Sequence, residues 1–327
     1  MSKGSSLLFR WLILALLTAG LSSCSQEDTG EVATSEPPEA NDVVDEPQDA
    51  TTTTTSEAVA TTTTTPSTTT PPSTTTAAPV VADVREGTLG YKTLTAGHSF
   101  FGPVAQHFEQ SATNAGLVGH EQWLVFEGGE NGAPEALWNN DVRRQEMQSH
   151  LARGDIDLFV LTYHPSYGGP DGYRNWINEA IGHNPDTTIA IGIPWLLNPT
   201  DMDAASYEKR WQTGFGGLEV GLLDGLRAEF PDTEILTLPY GRVAVEAYLA
   251  FEAGALDVVG QLVSPTNDGQ DGSLFGDQVG HAGTFIIEAA SYLWFRLLYG
   301  DVTDATPTAV TADHVRIVEL ALANAWP

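Results

Sequence analysis

Short apolar runs alternate with longer segments of helical periodicity between residues 90 and 300. The segment 157–162 is dominated by consecutive apolar residues, which is typical of a strand buried on both faces. Several of the longer segments end at a glycine, a common helix stop signal. The pattern predicts five strands (91–95, 122–126, 157–162, 188–193 and 234–238) and six helices (103–116, 134–153, 171–182, 203–229, 242–253 and 282–299).

Strands and helices that alternate in this way indicate βαβ units and a parallel sheet. We therefore expect an α/β fold, a three-layer αβα sandwich whose central parallel sheet has about five strands. In such sheets the functional groups gather on loops beyond the carboxyl ends of the strands. The loops after the predicted strands are thus the first places to look for chemistry.

The N-terminal residues follow a different pattern, that of a targeting signal. Within residues 1–23, Lys3 and Arg10 accompany an apolar run at 11–21, which has signal-peptide length. The run ends in the sequence LSSC, which resembles the bacterial lipoprotein box and places the single cysteine, Cys24, at the lipidated position. We expect a lipoprotein anchored through Cys24 on the extracytoplasmic side of a bacterial membrane. An ordinary secretory signal with a cysteine nearby by chance is the alternative.

Residues 24–86 are predicted to be a disordered tether, because they are rich in acids, Thr and Pro and contain no aromatic residue. Proline stiffens such a segment and like charges extend it. Residues 87–327 then form the folded domain.

Charge and cysteine content exclude several classes of function. Acids outnumber Lys and Arg by 43 to 14, and the formal net charge is −29. This argues against a nucleic-acid partner, because such binding depends on Lys and Arg that neutralise phosphates. A single cysteine excludes an intrachain disulfide framework and a cysteine-clustered metal site.

The loop after the first predicted strand carries a candidate nucleophile, Ser99, in the sequence Gly97-His98-Ser99. A serine at a strand-to-helix turn projects above the sheet, and its own N–H lies near the positive end of the helix. This position suits a nucleophile whose oxyanion needs backbone donors. The alternative is that Ser99 is only the N-cap of that helix.

A second candidate block, with Asp277 and His281, precedes the helix predicted at 282–299. An acid and a histidine in this arrangement can serve as the orienting group and the base of a catalytic triad. The alternative is a surface histidine beside a turn.

Together the two blocks resemble the SGNH/GDSL-type serine hydrolase superfamily, in which a Gly-x-Ser turn follows the first strand and an Asp…His pair precedes the last helix. The resemblance covers about residues 90–300. It implies a flavodoxin-like fold and ester hydrolysis, with Ser99 as nucleophile, His281 as base and Asp277 as orienting acid. It also implies an oxyanion hole formed by the N–H of Ser99 and that of a glycine after the second strand.

Gly129 is the first candidate for that glycine and Gly132 the second. The sequence departs from the family pattern at three places. His98 stands where the family often has Asp. No asparagine follows the third strand, so His164 or Tyr163 would have to donate the third oxyanion hydrogen bond. Asp277 lies four residues before His281 instead of three, and it would reach the ring if the turn is helical. The fallback acids are Asp271 and Asp268.

Two other interpretations use the same residues. His98, His164 and His281 could meet above the sheet as a three-histidine metal site. Aromatic side chains could line a sugar-binding cleft, although more of them are expected to serve packing. These aromatic residues are Trp123, Trp138, Tyr163, Tyr167, Tyr173, Trp176 and Trp195.

The sequence therefore predicts a lipid-anchored serine esterase that cleaves carboxylic esters, with O-acetyl groups on carbohydrate as the expected substrate class. No metal, organic cofactor or obligate protein partner is predicted. One alternative is a catalytically impaired surface lipoprotein that keeps the fold and binds glycan. The other is sulfate- or phosphate-ester chemistry at a metal.

Overall fold

The computed structural model describes residues 89–267, 269, 272–300 and 310–325. The predicted signal peptide, Cys24, the predicted tether, Asp268 and Asp271 lie outside these residues, so the expectations attached to them stay predictions.

Five parallel strands form the central sheet of the described part of the chain. They are β1 (Lys92–Gly97), β2 (Glu121–Phe126), β3 (Leu158–Thr162), β4 (Thr188–Gly192) and β5 (Ile235–Leu238), and their order is β2-β1-β3-β4-β5. Every residue of β3 is buried, as its apolar run predicts, because helices cover both faces of the sheet. The predicted α/β fold with a parallel five-stranded sheet between helical layers is confirmed.

Helices cover the sheet in two groups. The described helices are α1 (Gly102–Asn114), α2 (Pro134–Asn139), α3 (Asp141–Leu151), α4 (Asp171–His183), α5 (Ala204–Leu218), α6 (Asp224–Glu229), α7 (Tyr240–Glu252), α8 (Thr284–Tyr299) and α9 (Ala312–Ala323). Helices α1, α7, α8 and α9 pack together on one side, and α2, α3 and α4 pack together on the other. Arg174 of α4 forms an ion pair with Glu229 of α6, with 2.6 Å between Nε and Oε2. None of the described helices is both long and apolar enough to span a membrane.

Two predicted helices are interrupted. The segment 134–153 is two helices, because Asn140 leaves the helical conformation and its side chain accepts hydrogen bonds from the N–H groups of Val142 and Arg143. The segment 203–229 contains a π-helical turn, Glu219–Leu223, between α5 and α6.

The C-terminal third contains elements that the apolar pattern missed. A two-stranded parallel sheet pairs β6 (Gln261–Val263) with β7 (Ser273–Phe275). Both strands have three residues, which is too short for periodicity to reveal them. Helix α9 follows α8, so the Asp…His block precedes the second-to-last helix of the described chain and not the last one.

The strand order places a crevice above the carboxyl ends of β1 and β3. The chain leaves β1 towards β2 and then crosses to β3 on the other side of β1, so the direction of winding reverses between these two neighbours. Ligands bind at such a switch point in open α/β sheets. Ser99 follows β1, and Tyr163 and His164 follow β3.

The ionisation of His120 is expected to make the stability of the fold depend on pH. Its ring lies edge-on to Phe108 at 5.6 Å, and its Nδ1 is 3.4 Å from the Tyr299 hydroxyl. Burial lowers the pKa of His120 from 6.5 to about 4. Between these two values the unfolded chain binds a proton that the native ring does not, so stability falls as pH decreases through this window.

We expect the variant His120→Asn to lose less of its stability on acidification than the native protein does. Urea unfolding at pH 7 and pH 5 measures the change in unfolding free energy for each. The loss should be smaller in the variant by about 1–2 kcal/mol. An equal loss in both proteins would contradict the assignment of a neutral, partly buried His120.

Candidate active site

Ser99 lies at the tip of a tight turn between β1 and α1. The carbonyl of His98 accepts hydrogen bonds from the N–H groups of Phe101 and Gly102, both at 2.9 Å. Helix α1 begins at Gly102 with Phe101 as its N-cap, and no side chain caps it. The N-cap interpretation of Ser99 is therefore wrong, and the serine hydroxyl is directed to other partners.

Ser99, His281 and Asp277 form a continuous hydrogen-bonded line. The Oγ of Ser99 is 3.0 Å from Nε2 of His281, and Nδ1 of His281 is 2.6 Å from Oδ2 of Asp277. Because a carboxylate only accepts, Nδ1 carries the proton in the neutral ring. Nε2 then presents its lone pair to the Ser99 hydroxyl, which is the arrangement a general base requires.

Asp277 is held by a turn that is not helical. Its Oδ1 accepts hydrogen bonds from the N–H groups of Gly280, at 2.9 Å, and His281, at 3.1 Å. Gly280 has φ +103°, a conformation that side-chain-bearing residues rarely adopt, so the extra residue between acid and histidine is absorbed there. Burial opposes ionisation of Asp277, but the hydrogen bonds from the His281 ring and from the backbone outweigh it and hold its pKa below the ordinary value.

Aromatic rings fix the His281 loop against the loop after β4. Trp195 is almost fully buried, and its Nε1–H donates to the Gly280 carbonyl at 2.8 Å. Phe100 stacks on Trp195 with ring centres 5.2 Å apart and meets the His281 ring edge-on at 5.2 Å. The N–H of Asn198 also donates to the Val279 carbonyl. Sequence reasoning missed Phe100, although it directly follows the candidate nucleophile.

A cavity of about 450 Å³ opens beside Ser99. Its apolar walls include Phe100, Trp195, Leu197 and Phe215, and its polar lining includes His98, Gly129, His164, Ser166, Asn198 and Arg210. Of the seven aromatic residues considered for a sugar cleft, Tyr163 and Trp195 line this cavity. Tyr173 and Trp176 are buried in the core instead.

Two residues that line the cavity, Ser99 and Gly129, carry backbone N–H groups that can act as donors. Among the described residues neither the N–H of Ser99 nor that of Gly129 has a hydrogen-bond acceptor. Gly129 opens a short 3₁₀ turn at φ +56° and lines the cavity. Gly132 is buried, and a Cβ built there would lie 2.6 Å from the backbone of Gly97 and His98. Gly132 thus allows close packing, and the geometry favours Gly129 as the donor.

His164 follows β3, where the resemblance drawn from the sequence would place an asparagine. Its Nδ1 accepts a hydrogen bond from the N–H of Ser166 at 3.2 Å. Burial lowers the pKa of His164, so the ring is neutral and its proton resides on Nε2. Nε2–H is therefore available as a donor at the cavity wall.

Both ring nitrogens of His98 are used in hydrogen bonds that hold neighbouring loops together. Its Nε2–H donates to the Tyr163 carbonyl at 3.1 Å, and its Nδ1 accepts from the N–H of Phe100 at 3.2 Å. Burial lowers the pKa of His98 to about 4. Neither ring nitrogen is left for a metal ion, so the three-histidine site is not formed. No cluster of three or more potential metal ligands occurs among the described residues.

Sequence comparisons assign no family to this chain. No protein-family profile matches the sequence, and no curated protein matches it. A solved structure with some similarity is the periplasmic domain of a lipopolysaccharide acetyltransferase from Salmonella ser. Paratyphi A. It shares 15% identity at a TM-score of 0.37, with 63% of this chain and 81% of that chain covered. This similarity is too weak to assign a family, and membership of the SGNH superfamily stays a prediction.

The variant Trp195→Phe tests the anchoring of the His281 loop. It removes the donor to the Gly280 carbonyl and leaves a buried acceptor unsatisfied, so we expect the unfolding free energy to fall by about 1–3 kcal/mol. The matched control is Trp123→Phe, because that ring donates no hydrogen bond to any described residue and is only partly buried. Urea unfolding of both variants measures the difference. Equal losses would contradict a specific role for the Trp195 hydrogen bond.

Proposed function

We propose that this protein is a serine esterase in which Ser99 is the nucleophile, His281 the general base and Asp277 the orienting acid. The observation that carries the proposal is the line Ser99–His281–Asp277, with spacings of 3.0 and 2.6 Å. The line lies at the switch point of the sheet and beside a cavity large enough for a small ester.

The reaction proceeds in two halves. Nε2 of His281 takes the Ser99 proton as Oγ attacks the acyl carbonyl, and the carbon–oxygen π electrons move to the carbonyl oxygen. The tetrahedral species collapses, and the alcohol leaves with the proton that His281 returns. Water then attacks the acyl-serine as His281 takes a proton from it. The bond from the acyl carbon to Ser99 Oγ breaks, Oγ regains the proton from His281, and the carboxylic acid leaves. Asp277 holds the ring orientation and stabilises the imidazolium in both halves.

Three donors are proposed to stabilise the oxyanion: the N–H groups of Ser99 and Gly129 and the Nε2–H of His164. The two N–H groups have no acceptor among the described residues, and the ring of His164 is neutral with Nδ1 occupied. Such donors act without reorganisation when negative charge develops on the carbonyl oxygen.

The substrate class and the setting are also proposals. We infer an O-acetyl ester of carbohydrate, cleaved outside the cytoplasm by a domain tethered through lipidated Cys24. Phe100, Trp195 and Phe215 are largely buried but line the cavity as an apolar wall, against which the C–H groups of a sugar can pack. No group beyond the side chains and backbone named above is required by the steps.

We expect Ser99→Ala to lower the turnover of 4-nitrophenyl acetate by at least about 10³-fold, because the nucleophile is removed while the fold is kept. The matched control is Ser149→Ala, an equal change at an exposed position on α3. It should retain native turnover. Release of 4-nitrophenolate by purified native and variant proteins measures both.

Equal rates for Ser99→Ala and the native protein would contradict the assignment. Absence of turnover in the native protein, combined with binding of acetylated glycan, would favour the alternative of an impaired glycan-binding protein. Loss of activity in chelator, with Ser99→Ala harmless, would favour metal-dependent ester chemistry.

Substitution of His164 tests the third oxyanion donor. His164→Phe keeps a ring but removes the N–H, and kcat should fall about 10²–10³-fold with a smaller change in KM. His164→Asn supplies an amide donor and should retain more activity than His164→Phe. If both variants kept native kcat, the oxyanion would be stabilised by the backbone donors alone.

A further inference from the structure

Arg210 differs from nearly every other cation of the described chain. The lysines and arginines of that part contact carboxylates, with the exceptions of Lys209 and Arg210. Neither exception has a hydrogen bond, an ion pair or an aromatic partner for its charged group there. Arg210 is exposed, and its guanidinium has no carboxylate partner among the described residues although the chain carries 43 acidic residues.

Arg210 is part of the wall of the cavity beside Ser99. Arg210 lies on α5 and lines the same cavity as Ser99, together with Gly214 one turn further along the helix. A Cβ built on Gly214 would meet no atom within 4 Å, so the space beside this face of α5 is open. The helix therefore presents a cation and free volume to whatever enters the cavity.

The described residues that line the cavity carry no opposing charge, although the carboxylate of Glu130 acts electrostatically on His164. Of the described residues, no Asp or Glu lines it. The other polar groups on its walls include the Nε2–H of His164 and the side chains of Ser166 and Asn198, which can donate hydrogen bonds. The acidic surface that repels anions elsewhere is thus interrupted where the substrate binds.

We propose that Arg210 binds an anionic group on the substrate, so that the preferred substrate is an acetyl ester of a sugar that also carries a carboxylate or a phosphate. This inference rests on the proposed esterase function and adds a specificity residue to it. A guanidinium offers two parallel donors that match either anion, and a carboxylate-free cavity wall leaves both available. Arg210 is a binding residue and takes no part in bond breaking.

Three model substrates separate the charge of the substrate from its ester chemistry. They are methyl 3-O-acetyl-galactoside, its C6 carboxylate analogue (the uronoside) and its 6-phosphate analogue. We expect the native protein to show kcat/KM about tenfold higher for an anionic ester than for the neutral one. A preference for the carboxylate over the phosphate, or the reverse, identifies the anion.

Arg210→Gln should reduce the ratio of anionic to neutral kcat/KM about tenfold, mainly through KM, and Arg210→Lys should keep part of the preference. The matched control is Lys209→Gln. Lys209 is the other lysine or arginine of the described residues whose charged group has no partner among them, and it does not line the cavity. It should leave the ratio as in the native protein. A native ratio near one, or an equal ratio in Arg210→Gln, would overturn the inference.

The failure of this inference is distinguishable from failure of the esterase proposal. Hydrolysis of the neutral ester through Ser99 without any preference for anions would overturn only the role of Arg210. If no ester is hydrolysed, calorimetric binding of methyl galacturonoside and methyl galactoside decides. Tighter binding of the uronoside by about tenfold, lost in Arg210→Gln, would support the anion site, and equal binding would overturn it.

Discussion

The hydrogen bond between Ser99 and His281 joins two segments that lie 182 residues apart in the chain. The length of this hydrogen bond depends on how firmly the two segments that carry Ser99 and His281 are held in place. The turn after β1 fixes Ser99, while Asp277 and the Gly280 turn orient the ring of His281. The Trp195 hydrogen bond and its buried ring fix that turn against the loop after β4. The spacing of Asp277 and His281 suggested a helical turn, but the structure holds the pair through this packing. The proposed chemistry therefore rests on packing between loops as much as on the three side chains themselves.

The charges that line the cavity beside Ser99 differ from those of the chain as a whole. The chain carries a net charge of −29, yet the cavity beside Ser99 has no carboxylate among the described residues and one guanidinium, Arg210. Burial lowers the pKa of His98 to about 4, so its neutral ring connects the β1 and β3 loops without adding a positive charge that would act on His281. A neutral scaffold with one cation and several N–H donors supports the two proposals, that the substrate is anionic and that an oxyanion develops there.

The sequence predicted what regular periodicity and local order reveal. Apolar runs such as 157–162 gave the strands, and the order of the Ser99 and Asp277–His281 blocks led to the residues that the structure brings together. Long-range packing was not predictable in this way. Nothing local marks Trp195 as the donor to Gly280, and only the fold shows that Gly132 packs against β1 while Gly129 faces the cavity. The break at Asn140 was also missed, but it could have been predicted from the local sequence. An Asn directly before an acidic helix start is a recognisable N-cap.

The most direct test of the account is the site of covalent modification by a fluorophosphonate, which reacts with a serine whose hydroxyl is activated by a base. After reaction of the protein at neutral pH, peptide mapping by mass spectrometry locates the adduct. The account predicts a single adduct on Ser99, formed rapidly in the native protein and lost when His281 is replaced by Ala. No adduct, or one on another serine while Ser99 stays unmodified, would contradict it.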